Sequence, residues 1–167
     1  MLPSLEIGPD QATLFPDLAI VLKDRFDLSG QLVDLDDAIE IHRKLVLLQP
    51  EDDSKLDSLS HLGIALHSRF HHSNNLPDLT EAIFQHREAL SLVPAPLHSR
   101  LNHLSKALRC RFDQTGQLSD VDEAISLRSE AVTLTKLNYN IIKSLAEDSM
   151  ARYAYSMEVL MSKEPCH

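Results

Sequence analysis

Three sets of residues in this sequence have types and spacings that could do chemistry. Asp27, Asp34, Asp36 and Asp37 surround Gly30 in the stretch RFDLSGQLVDLDDAI, and carboxylates are the hard oxygen ligands that calcium takes. His67, His71 and His72 contain an i, i+4 pair that could hold Zn²⁺ from one helix face. His42 and His86 each interrupt an apolar stretch, where a partly buried imidazole could act as a pH switch. None of the three reads as a site. In the calcium loop of an EF-hand the Gly follows three alternating acids and a Glu closes the loop, which this order does not reproduce. The histidines lack HExxH, CxxC and any cysteine close by in sequence, so no metal is expected. His42 and His86 are expected to find hydrogen-bond partners between helices. There is no GxxxxGK, no GxSxG and no Gly-rich nucleotide loop, and the chain has only four glycines from which to build one. Cys110 stands one residue before an Arg-Phe pair and reads as a helix-face residue, not a nucleophile. The expectation is a protein without catalytic residues or cofactor, not an enzyme.

The elements that would position these residues repeat. RFDLSGQLVDLDDAI at 25–39 recurs as RFHHSNNLPDLTEAI at 69–83 and RFDQTGQLSDVDEAI at 111–125, giving periods of 44 and 42 residues. Before each phrase stands a helical stripe: Phe15, Leu18, Ala19, Leu22; then Leu59, Leu62, Gly63, Leu66; then Leu101, Leu104, Ser105, Leu108. After each comes a second stripe, clearest as Leu79, Ala82, Ile83, His86, Ala89, Leu90 and Val93. From the small residue of the first stripe to the Ala of the second the spacing is 19 in every copy (Ala19 to Ala38, Gly63 to Ala82, Ser105 to Ala124), while the spacing between copies drifts. The phrase is therefore the inner joint of a helical hairpin. Asp34, Asp78 and Asp120, each with an acid three residues later (Asp37, Glu81, Glu123), have the spacing of a capping box at the start of the second helix. Gly30 and Gly116 would supply a positive-φ turn, a role that Asn74 or Asn75 can take in the middle copy. Arg25, Arg69 and Arg111 fall at the end of the first helix, within reach of acids. Phe26, Phe70 and Phe112, with Leu32, Leu76 and Leu118, would plug the bend. A further first-type stripe at Ile142, Leu145 and Ala146 predicts a separate final helix, so the fold class is all-α, with about 3.5 hairpins and seven main helices.

Repeat two, with Leu59, Leu62, Gly63 and Leu66, then Ala82, Ala89 and Pro94, resembles the tetratricopeptide repeat (TPR) family over about residues 12–160. The unit is longer than that family's ~34 residues, and His42, His86 and Arg128 stand where the family has a large aromatic. In length it looks like the extended repeats of large fungal proteins, some of which carry a caspase-like domain or an NTPase core. The resemblance implies a right-handed superhelical array of antiparallel hairpins, with a lead-in at 1–11, repeats at about 12–50, 54–94 and 97–136, a final helix at 138–161 and a tail at 162–167. It also implies a concave groove lined by first helices, which maps onto Lys23, Asp24, Asp57, Ser60, Ile64, His67, Asn102, Lys106, Arg109, Lys143, Glu147 and Met150. Asn102, Lys106 and Arg109 share one helical face by spacing, so the groove is more basic than the whole chain and suits an acidic or C-terminal peptide.

Composition sets the outer bounds. At 167 residues, 43% apolar and 25% charged, the chain has material for a real core, and a net charge of −9 argues against nucleic acid as partner. No window approaches the ~20 apolar residues that span a bilayer. The start MLPSLEIGPDQ lacks the pattern of a signal peptide. Cys110 and Cys166 are too far apart and too differently placed for a disulfide framework, so a soluble cytoplasmic protein with no membrane partner is expected. The leading expectation for function is a non-catalytic scaffold that binds a peptide or helix; the alternative is a regulatory or sensor segment of a larger enzyme. Apolar residues on more than one side of the last helix (Tyr139, Ile141, Ile142, Tyr153, Leu160, Met161) predict self-association through it.

Overall fold

The computed structural model describes residues 14–92 and 98–161, with side chains described up to Asn140 and at Lys143. These residues form six helices and no strand: α1 Phe15–Ser29, α2 Leu32–Leu48, α3 Asp53–Ser73, α4 Leu76–Ser91, α5 His98–Thr115 and α6 Leu118–Met161. Each helix packs on the next in the chain, and α3 also touches α1 and α5, so the first helices of the three hairpins are neighbours.

The amphipathic stripes of α2 to α5 are largely buried where the sequence places them, whereas Leu18 on α1 and Ile125 and Val132 on α6 are exposed, and the principal core lies between hairpins. Phe26, Leu35, Ile39, Leu62, Ala65, Leu66 and Ala82 form one cluster. Phe70, Leu79, Ile83, Leu104, Ala107, Leu108 and Ala124 form another. Each member of the second is the residue 42 or 44 positions after a member of the first, so the two cores are the same core built twice. A hairpin alone leaves this stripe in water, and stacking removes it, at roughly 1.5–3 kcal/mol for each large side chain.

The joints are also built alike. Gly30 and Gly116 sit at φ 71° and Asn74 at φ 50°, the left-handed conformation that ends a helix. Their backbone N–H groups donate to the carbonyls of Phe26, Phe112 and Phe70 at 2.7–2.8 Å. One position went unnoticed in the sequence. The hydroxyls of Ser29, Ser73 and Thr115 donate back to the carbonyls of Arg25, Arg69 and Arg111. The same hydroxyls accept from the N–H of Gln31, Asn75 and Gln117 across the turn.

Three expectations are corrected. The second helices begin two residues before the acidic positions, so Asp34, Asp78 and Asp120 are not N-caps. Gln31 and Asn75 occupy the cap positions of α2 and α4 without a side-chain cap bond. Leu32, Leu76 and Leu118 are exposed at the helix starts and do not plug the bend, a place taken by Phe26 and Phe70 with Leu35 and Leu79. There is also no break near residue 137. The sequence has Pro50 after α2 and Pro94 after α4, but 118–161 contains neither Pro nor Gly, and α6 continues for 44 residues. The described residues thus hold six helices, not seven. The lead-in, the tail with Cys166, and the side chains of Glu147 and Met150 lie outside the described residues.

Candidate functional site

The acids of the repeated phrase are held by arginine. Arg25 grips Asp34 through two bonds of 2.6 and 2.5 Å. Arg69 grips Asp78 at 2.8 Å twice, and Arg111 grips Asp120 at 2.7 Å twice. All three pairs are nine residues apart, on opposite sides of the bend, with the carboxylate buried. The guanidinium bonds hold Asp34 and Asp120 below the usual carboxylate range. Other pairs join hairpin to hairpin: Arg43 with Glu81, Arg87 with Glu123, and Arg69 also with Asp36. Asp34, Asp78 and Asp120 are thus bound within the joints, Asp36 pairs with Arg69 of the next hairpin, and Asp27 pairs with Lys23 along α1.

Histidines form a second periodic feature. Buried His42 on α2 lies beside His61 on α3, with ring centroids 5.5 Å apart. Buried His86 on α4 lies beside His103 on α5 at 5.7 Å. Burial, with His61 adding, pushes His42 down to about 4. Burial, with His103 and His67 adding, pushes His86 down to about 3. Both rings are therefore neutral at pH 7. The expected hydrogen-bond partner is missing for one atom, His42 Nδ1, which is buried without one. His86 lies over Gly63: a Cβ there would come within 2.5 Å of the ring, so Gly63 is the hole that the imidazole fills. Arg128, the third residue of this series, is exposed, because none of the described helices stacks on α6 as α3 and α5 stack on α2 and α4.

The residues assigned to a groove do not gather on one surface. Lys23, Asp24 and Ile64 line one cavity of about 180 Å³ with Ile20, His42, His61 and Ala65. Asp57, bound by Arg100 at 3.2 Å, lines a neighbouring cavity of about 220 Å³ that also includes His61. Ser60 is half-buried and donates to the Leu56 carbonyl. Asn102 faces α6 instead, lining a cavity of about 260 Å³ with Arg128, Ala131, Val132, Thr135 and Lys136. Lys106 and Arg109 are exposed on α5, and Lys143 is exposed on α6.

His67 is half-buried, and its Nε2 lies 3.3 Å from the Sγ of Cys110 on α5. Burial, with His71, Lys106 and His103 adding, lowers His67 to about 4, while burial raises the Cys110 thiol. The sequence offered no cysteine close to His67 and His71, and the stacking of hairpins supplies one. The signal was present in the period: 42 residues back from Cys110 is Ser68, the neighbour of His67. Compared with known proteins, the chain matches no family model and no curated sequence.

Proposed function

We propose that the chain is a non-catalytic interaction scaffold, a right-handed TPR-like array that binds an acidic peptide or helix along the face of α1, α3 and α5. The observation that carries this reading is the adjacency of these three first helices, together with Lys106 and Arg109 exposed one helical turn apart on α5. An Arg beside a Lys on a rigid helix suits a peptide carboxylate, which Arg can take in two parallel bonds. The test is fluorescence anisotropy with Asp/Glu-rich peptides that end in a free carboxylate. Lys106→Glu with Arg109→Glu should weaken binding at least about tenfold, or roughly 1.4 kcal/mol, without changing the helical circular-dichroism signal. Equal affinity of wild type and variant removes the basic-groove reading.

A second surface supports self-association. Ile39 and Ile83 are 1% exposed, but the equivalent Ile125 on α6 is 61% exposed, and Leu118, Val132 and Tyr139 are exposed at seven-residue intervals along the same helix. On α1, Leu18 and Val21 are 40% and 60% exposed, whereas their equivalents Leu62 and Ala65 are 1% exposed. The α1 face of a second copy thus carries the residue positions that cover α2 and α4 within one chain. Head-to-tail stacking predicts sedimentation that depends on concentration and is abolished by Ile125→Lys. A monomer at every concentration removes this reading.

A further inference from the structure

His67 and His71 stand one helical turn apart on α3, with ring centroids 4.7 Å apart. Cys110 reaches them from α5, and one nitrogen of each imidazole and the Sγ lie within 4.8 Å of one another. Cys110 is a free, half-buried thiol, and His71 is exposed. We propose that His67, His71 and Cys110 form a three-ligand site for a borderline divalent transition metal, with zinc as its reference ion, open on the solvent side in a fourth position.

The donor set and its spacing both favour such an ion. Two imidazoles and a thiolate suit zinc and its neighbours in the first transition row, not magnesium or calcium. Tetrahedral zinc with bonds of 2.0–2.3 Å needs donor atoms roughly 3.3–3.6 Å apart. An imidazole nitrogen and a thiolate fall at the upper end of that range, and the His67–Cys110 separation of 3.3 Å lies within about 0.3 Å of it. His71, exposed on the helix edge, is the ligand with room to turn inward. On binding, the thiol proton leaves to water as the metal–sulfur bond forms.

The repeats themselves provide the comparison that separates a site from a joint. The positions equivalent to His67 and His71 are Lys23 and Asp27 in the first hairpin and Arg109 and Asp113 in the third, an i, i+4 cation and acid in each. Lys23 and Asp27 pair at 2.6 Å. The residue equivalent to Cys110 in the middle hairpin is Ser68. The hairpin therefore stacks without histidines or a thiol here, and the three ligands gather at one interface, between α3 and α5. Lys106 and Arg109 act on His67 and Cys110 as nearby positive charges that oppose a cation, and Asp113 acts on Cys110 in the other direction.

The test uses the full chain carrying Cys166→Ser, stripped of metal by a chelator, with zinc alone as the probe. Zinc should bind one to one in competition with a chromophoric indicator and should slow the reaction of Cys110 with a disulfide reagent. Cobalt in its place should give a thiolate-to-cobalt charge-transfer band that Cys110→Ser abolishes. His71→Ala changes an exposed residue and should keep the circular-dichroism spectrum and melting temperature while weakening zinc at least about tenfold. A Cys110 that reacts equally fast with and without zinc overturns the proposal. So does a His71→Ala protein that binds zinc as tightly as its parent.

Discussion

Lowering the pH from 8 to 5 should destabilise the stacked hairpins, because His42 and His86 are neutral in the fold and charged when exposed. The ordinary histidine value is 6.5, and the folded values are about 4 and about 3. Both are depressed, so between pH 6.5 and the folded values the unfolded chain binds more protons and stability falls as pH falls. Each pKa unit is worth about 1.4 kcal/mol. The interval from 6.5 down to pH 5 therefore costs about 2 kcal/mol for each histidine, and about 4 kcal/mol for the two. The loss is absent above about pH 7 and levels off only once the folded rings themselves take up protons. His61 faces His42, while His103 and His67 act on His86, and each adds to the downward shift that burial causes. The assay is urea denaturation followed by circular dichroism at pH 8, 6.5 and 5. His42→Leu with His86→Leu removes both titrations and should flatten the pH dependence by about 4 kcal/mol, leaving only what other groups contribute. Equal losses between pH 8 and 5 in wild type and variant would refute the reasoning.

Two further substitutions test the joints and the packing. Asp78→Ala strands the Arg69 guanidinium, whose side chain is 22% exposed. It should cost about 2 kcal/mol in denaturant titration, less than a fully buried pair because Arg69 keeps Asp36 and some water; an effect near zero would mean that the bidentate pair contributes nothing to the bend. Gly63→Ala places a methyl 2.5 Å from the His86 ring, which is buried and cannot swing away. A loss of about 1–3 kcal/mol is expected, and His86→Ala in the same chain should recover part of it. No recovery would show that the two residues do not compete for that space.

What the sequence determined by itself was whatever depends on local rules and their repetition. The period of the apolar stripes gave helices, and the constant 19-residue spacing gave hairpins. The left-handed turns at Gly30 and Gly116, with Asn74 in their place, followed from backbone sterics within a few residues. The continuity of α6 was not read from the sequence: the stripe at Ile142 pointed to a separate final helix at 138–161, although 118–161 lacks both Pro and Gly and runs as one helix. Tertiary structure decided what each polar group answers to. Asp34, Asp78 and Asp120 look like caps by local spacing, but the bend brings an arginine from nine residues earlier onto each, and a charge-assisted bidentate pair outweighs a single cap bond. His42 and His86 become neutral because the next hairpin stacks over them and removes water. Cys110 meets His67 because one period along the chain is a single step sideways between first helices. Neighbours that meet through stacking leave no local spacing to read, and only the packed chain puts them together.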